Sequence, residues 1–64
     1  MVYPRLKEAM KDHGWTTADV MKVLRLDSPD AIRNRMNGRT DFKPLEKEKL
    51  SDVLEIGEEE LFRR

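Results

Sequence analysis

The chain has 64 residues and no cysteine, and its 13 basic and 13 acidic side chains give a formal net charge of zero. A chain of this length can bury one small core, and without cysteine it forms neither disulfides nor thiolate metal sites. A neutral total charge argues against a protein that holds any polyanion non-specifically. We therefore expect residues 1–64 to form a single domain.

Two further absences concern the compartment. No stretch approaches the length of apolar residues needed to span a membrane, and the segment Met1 to Arg5 lacks the pattern of a signal peptide. The absence of cysteine fits a reducing compartment. We expect a cytoplasmic protein that makes no contact with a membrane.

A first helix is predicted from Pro4 to His13, because proline suits the first helical position and Gly14 suits the residue after the end. His13 is the only histidine, and in the last turn it complements the helix dipole. No second histidine, cysteine or carboxylate cluster stands beside it in the sequence. We therefore expect no metal, no cofactor and no catalytic role.

A second helix begins at Thr16, which is a favourable N-cap residue. Asp19 lies three positions later, where a capping box places its acidic member, and Trp15 with Val20 occupies the positions of a hydrophobic staple. This helix is predicted to end near Arg25. The turn Arg25-Leu26-Asp27 then leads directly to the next start signal, which predicts a helix-turn-helix arrangement.

The stretch from Ser28 to Gly38 predicts a third helix with both ends specified. Ser28 is the N-cap and Pro29 the first helical residue, while Asn37-Gly38 is expected to end the helix with a left-handed cap. Ile32 and Met36 form a narrow apolar stripe that can be buried. The other polar positions are expected to point into solvent, namely Asp30, Arg33, Asn34 and Arg35.

Two more helices complete an all-α chain. Phe42 is expected to anchor the loop that follows Gly38, and Pro44 starts a fourth helix whose apolar face comprises Leu45, Leu50, Val53 and Leu54. Gly57 starts a short fifth helix with three glutamates in its first turn. We therefore predict a compact bundle of five helices.

Charge is distributed unevenly along the chain. Residues 25–43 contain five basic and three acidic side chains, whereas residues 44–60 contain two basic and seven acidic ones. One end of the molecule can therefore face a polyanion while the other is repelled by it.

The order of these features resembles the phage lambda repressor and Cro type of helix-turn-helix domain, the Xre family, and especially its small prophage-encoded members. The resemblance runs from Leu6 to Phe62. It rests on Leu6-Lys7-Glu8-Ala9-Met10, Gly14-Trp15-Thr16, Ile32 to Asn37-Gly38, Asp41-Phe42, Glu46 with Leu50, and Leu54-Glu55-Ile56-Gly57 with Glu60-Leu61-Phe62. The chain departs from the family at Arg25, where relatives carry glycine in a turn one residue shorter, and at Pro29-Asp30.

The resemblance implies a lambda-repressor-like bundle in which the third helix enters the major groove of double-stranded DNA. Arg33 and Asn34 are then expected to contact base edges, with Asp30 as a secondary candidate. Phosphate contacts are expected from Thr17, Ser28, Arg35, Asn37, Arg39, Thr40 and Lys43. A palindromic operator would be bound by two copies, for which Leu61 and Phe62 are the candidate contacts, although closing the protein's own core is the simpler role for both.

Three classes of function follow from these observations. The first is a phage or prophage transcriptional regulator of the repressor or Cro kind. The second is a protein-interaction module on the same fold, such as an antitoxin or accessory protein whose acidic C-terminal half binds a basic partner. An enzyme is the least favoured, because the sequence shows no paired carboxylates, activated nucleophile or glycine-rich phosphate loop, and we expect no small-molecule substrate.

Overall fold

A computed structural model describes residues 2–64 of the chain. Within them it contains five α-helices and no strand, which confirms the predicted all-α class. The helices are α1 (Pro4–Asp12), α2 (Thr17–Leu24), α3 (Pro29–Met36), α4 (Pro44–Leu54) and α5 (Glu58–Leu61).

The helices pack around one apolar core. Helix α2 contacts both α3 and α4, and α5 contacts α4 and α1, so the last helix closes the bundle against the first. No polar or charged residue of the described chain belongs to the buried class. The core consists of Tyr3, Leu6, Ala9, Met10, Val20, Ile32, Met36, Phe42, Leu50, Leu54 and Leu61.

An aromatic cluster joins the two ends of the described chain. The ring of Tyr3 lies 5.6 Å from those of Phe42 and Phe62, both in edge-on geometry, and Phe42 lies 5.0 Å from Phe62. Arg64 donates a hydrogen bond of 3.1 Å to the Tyr3 hydroxyl. Leu61, beside this cluster, has no exposed surface. Leu61 therefore fills the protein's own core, the simpler of the two roles expected for it.

Side chains fix the starts of the three central helices. The Asp19 carboxylate accepts hydrogen bonds from the Thr16 backbone N–H at 2.7 Å and from its hydroxyl at 3.2 Å. The Ser28 hydroxyl oxygen accepts from the Asp30 N–H at 3.2 Å. Glu46 accepts from the Lys43 N–H at 2.9 Å, which secures the start of α4. The three backbone N–H groups among these donors are ones that the helix itself leaves unpaired.

Four of the helices end in the same way. The residue after the last turn takes a left-handed conformation, with φ of 68° at Gly14, 56° at Arg25, 79° at Gly38 and 57° at Glu55. The N–H of the next residue then donates to the carbonyl five positions back, at 2.7 to 3.2 Å. This is the Schellman motif, which satisfies carbonyls that the helix leaves free. Asn37 keeps a φ of −90°, so at the end of α3 the left-handed residue is Gly38 alone.

An enclosed ion pair connects α3 to α4. The Arg35 Nε donates to Glu46 Oε1 at 2.8 Å, and only 13% and 12% of the two side chains are exposed. Arg35 also donates through Nη1 to the Ala31 carbonyl at 3.1 Å. The two helices are therefore joined by a charge pair that is mostly shielded from water.

The apolar face of α4 is narrower than its sequence indicates. Leu50 and Leu54 are buried as expected, but Leu45 is 78% exposed and Val53 is 44% exposed. At 100° per residue Leu45 lies about 140° around the helix from Leu50, so one face cannot include both.

No helix among the described residues is long and apolar enough to cross a lipid bilayer.

Replacement of Arg25 by glycine is expected to stabilise the fold. A left-handed conformation costs a residue with a side chain about 1 to 2 kcal/mol, and glycine adopts it freely. The larger entropy of glycine in the unfolded chain offsets part of that gain. Arg25→Gly should raise the free energy of unfolding, measured in urea, by about 0.5 to 1 kcal/mol. His13→Gly is the control, since His13 ends α1 with a φ of −90° and should gain nothing.

The Arg35–Glu46 pair is expected to contribute more to stability than an exposed pair on the same helix. In a double-mutant cycle of Arg35→Met and Glu46→Gln, we expect a coupling energy of about 2 kcal/mol, because either change leaves a shielded charge without its partner. The comparison pair is Arg33 and Asp30, whose side chains are 68% and 78% exposed at 3.3 Å. Its coupling should stay below about 0.5 kcal/mol. Equal couplings would contradict this assignment.

Candidate nucleic-acid interface

The candidate residues of α3 with charged donors are Arg33 and Arg35, and Arg33 is the more exposed of the two. Its guanidinium lies 3.3 Å from Asp30 Oδ1, one turn earlier on the same helix. Since both side chains are largely exposed, this pair is weak and the guanidinium can exchange Asp30 for another acceptor. Asp30 therefore masks Arg33 in the free protein without holding it fixed.

Arg35 does not point into solvent. Two of its nitrogens donate to groups within the protein, Glu46 and the Ala31 carbonyl, and its side chain is mostly covered. The expectation that Arg35 is exposed is therefore wrong, and with it the reason for assigning it a phosphate contact. The physical cause is the placement of α4, which brings a carboxylate next to this face of α3.

A groove of about 380 Å³ lies between α2 and α3, and we call it the α2–α3 groove. Three of the candidate polar residues border it, Thr17 from the start of α2 and Arg33 and Asn37 from α3. The rest of its lining is apolar and consists of Ala18, Met21, Pro29, Ile32 and Met36. The fold thus brings together hydrogen-bonding side chains from two helices along one concave surface.

The start of α2 adds a favourable electrostatic feature to this surface. Thr17 is the first residue of α2 and is exposed. The backbone N–H groups of a first turn carry partial positive charge, which favours an anion at that position. Asp19 uses its carboxylate on the N–H of Thr16, so the acidic side chain is directed back to the cap.

The segment after α3 carries further candidates. The Asn34 carbonyl accepts the N–H of Arg39 at 2.9 Å and that of Thr40 at 3.3 Å, which holds both residues against the end of α3. After α1, α2 and α4 the residue at the position of Arg39 is apolar and packs against the core, namely Trp15, Leu26 and Ile56. Arg39 instead is exposed. The side chain of Arg39 therefore does not pack in the core. The side chain of Asn34 is only partly exposed.

The remaining candidates, Ser28 and Lys43, are N-cap residues. Ser28 uses its hydroxyl oxygen on the Asp30 N–H, which leaves its hydroxyl proton available as a donor. Lys43 precedes α4, and its side chain is exposed. Phe62, the second expected dimer contact, is partly buried in the aromatic cluster with Tyr3 and Phe42.

The apolar lining of the α2–α3 groove was not evident from sequence. Met21 and Ala18 each have an ordinary explanation as residues of an amphipathic helix, and Pro29 as a helix start. Only the distance between two helices decides whether such side chains close on each other or leave a groove. Among residues 2–64, no cluster of histidine and carboxylate side chains is arranged to hold a metal ion.

We compared the chain with known proteins at three levels. No model of a protein family matches it, and neither does any curated protein or any solved structure.

Proposed function

We propose that this protein binds double-stranded DNA in a sequence-specific manner and acts as a small transcriptional regulator of phage or prophage type. The observation that supports this most is the convergence of Thr17, Arg33 and Asn37 along one groove between α2 and α3. A short helix that presents an exposed arginine, next to the free N–H groups of a second helix, suits a major groove bordered by phosphates.

Base contacts are assigned to α3. Arg33 can donate two parallel hydrogen bonds to the O6 and N7 of guanine, the commonest specific contact in the major groove. Asn34 is the corresponding candidate for adenine, and it follows Arg33 directly. Asp30 can accept from the amino group of cytosine, but only after it releases Arg33.

Phosphate contacts are assigned to residues around this helix. Thr17 and Asn37 border the groove, and Arg39 provides an exposed cation at the end of α3. Ser28, Thr40 and Lys43 are retained as further donors, since each has at least one hydrogen-bond donor that is not used within the fold. Arg35 is omitted from the phosphate contacts because its ion pair with Glu46 joins α3 to α4.

A single copy of this domain offers a small interface. One helix with two base-reading side chains contacts only a few base pairs, and useful specificity therefore requires two copies on a palindromic site. The proposed function needs no cofactor and no small-molecule substrate.

Selection from random duplex DNA is the direct test. We expect a palindromic consensus whose affinity falls steeply with salt concentration, because phosphate neutralisation releases counterions. Arg33→Ala should weaken the selected site by about 1 to 3 kcal/mol, which is a factor of about 5 to 150. Arg63→Ala, which removes the same charge from an exposed position after α5, should change affinity far less.

Loss of affinity in both variants would indicate a general charge effect and would contradict base reading by Arg33. No enriched site, together with unchanged affinity in Arg33→Ala, would overturn the proposed function altogether. Circular dichroism of each variant distinguishes these outcomes from unfolding.

Asp30 is expected to oppose DNA binding in general. Its carboxylate pairs with Arg33 and lies in the first turn of α3, where it would repel phosphates. Asp30→Asn removes the charge and keeps the size, so binding to unrelated duplexes should tighten and its salt dependence should steepen. If Asp30 also reads cytosine, the selected consensus loses its preference at one position. Unchanged binding to unrelated duplexes in Asp30→Asn would contradict the masking of Arg33.

The apolar lining of the α2–α3 groove favours a second candidate function. Five of the eight lining residues are apolar, so the groove can also receive an apolar side chain of a protein partner. This is the protein-interaction module, whose acidic second half would attract a basic partner. Weak salt dependence of any DNA binding would favour this candidate. Because Met21 is partly exposed, Met21→Lys should abolish binding of the protein partner without unfolding α2.

A further inference from the structure

Pro29 differs from the other apolar residues that line the α2–α3 groove. Two of these residues, Ile32 and Met36, are buried in the core and are only 3% and 5% exposed. Ala18 and Met21 belong to α2, whereas Pro29 is the first residue of α3 and is exposed. Within residues 2–64, Pro29 is therefore the apolar side chain of the groove that α3 presents to solvent.

Pro29 lies one turn before Arg33 on the same side of α3. The two residues are four positions apart, which places their Cβ atoms about 5 to 6 Å from each other. Both are exposed, and both border the α2–α3 groove. The arginine that is assigned to guanine thus has an apolar neighbour on the side of the helix start.

We propose that Pro29 reads thymine through its C5-methyl group, next to the guanine that Arg33 binds. This inference rests on the proposed function and deepens it, because it names a base that the polar candidate residues do not select. Residues at the start of a recognition helix are the ones that contact base edges in the major groove. Successive bases of one strand are about 3.4 Å apart, so the spacing of Pro29 and Arg33 places the thymine within about two base pairs of the guanine.

The chemistry of proline favours this partner. The ring of Pro29 has no hydrogen-bonding atom, and its backbone nitrogen carries no hydrogen, so it cannot pair with the polar atoms of a base edge. The C5-methyl of thymine is the apolar substituent that the base pairs present in the major groove. Beside the polar atoms of another base, the ring would displace water without replacing its hydrogen bonds, which costs free energy. Contact with a methyl group instead removes apolar surface of both molecules from water.

The neighbouring side chains are unsuited to this contact. Ala18 and Met21 lie on α2, the helix that crosses the DNA backbone in such an arrangement. Asp30 follows Pro29, but its carboxylate is polar and lies 3.3 Å from the Arg33 guanidinium. The assignment is also specific to this chain, because Pro29 is a position at which the sequence departs from the family that it resembles.

Removal of one methyl group from the DNA provides the test. In the duplex selected by the protein, the guanine read by Arg33 is the position at which Arg33→Ala loses its preference. Replacement of the nearby thymine by deoxyuridine in one half-site should weaken binding by about fourfold, which corresponds to one buried methyl group. The same replacement at a thymine outside both half-sites should leave the affinity unchanged. Fluorescence anisotropy of labelled duplexes measures these affinities.

Variants of the protein assign the contact to Pro29. Pro29→Gly removes the ring, so the thymine and deoxyuridine duplexes should bind this variant equally. Pro44→Gly is the matched control, because Pro44 is the exposed first residue of α4, and here the difference between the two duplexes should persist. Pro29→Ser is the second variant if glycine unfolds α3 by circular dichroism, and it too should abolish the difference.

Equal affinity of the unsubstituted protein for the thymine and deoxyuridine duplexes would overturn the inference and leave the proposed function intact. A consensus that lacks thymine near the guanine would have the same meaning. A difference that persists in Pro29→Gly and Pro29→Ser would assign the methyl contact to another residue and would also overturn the inference. Failure to select any site, or an unchanged consensus in Arg33→Ala, would instead overturn the proposed function, and this inference with it.

Discussion

The closure of helix ends is the constraint on which the rest of this structure depends. The four longer helices contain only eight to eleven residues each, a length that is marginal for an isolated helix in water. Each ends on a left-handed residue that turns the chain and lets the following N–H satisfy a free carbonyl. At three of these ends the next side chain is apolar and packs on the core, which ties local geometry to the tertiary structure. At the end of α3 that position is Arg39, and Val2 approaches Gly38 instead.

The same helix, α3, uses two arginines for opposite purposes. Arg33 and Arg35 are two positions apart, which places them about 200° apart around the helix. Arg33 is therefore directed to solvent, where its ion pair with Asp30 is exposed, and Arg35 meets Glu46 in a shielded contact. This division lets α3 present an exposed cation while the helix remains held against α4. The proposed entry of α3 into a major groove needs both properties, because a misplaced backbone would misdirect every base contact.

Local signals made most of the fold predictable, and contacts between helices account for the errors. Ser28, Thr16 with Asp19, and the prolines at helix starts act within one turn, so their residue types alone identified the helices. Leu45 and Arg35 were misplaced because their exposure depends on which neighbouring helix covers them. The position of Leu45 relative to Leu50 carried a usable signal, since the two residues lie about 140° apart around α4 and cannot share one face. Nothing in the sequence indicated the distance between α2 and α3 that opens the groove.

Glu46 has a consequence for how the surfaces of this protein communicate. Its one carboxylate accepts from Arg35 on α3 and from the Lys43 N–H at the start of α4, so both helices share a single acceptor. Loss of this carboxylate would therefore remove a contact of α3 and the first-turn bond of α4 at the same time. Where a ligand on one helix breaks either bond, reciprocity requires that a ligand breaking the same bond from the other helix is coupled to it by an equal factor. The positions of α3 and of the start of α4 thus depend on one and the same side chain.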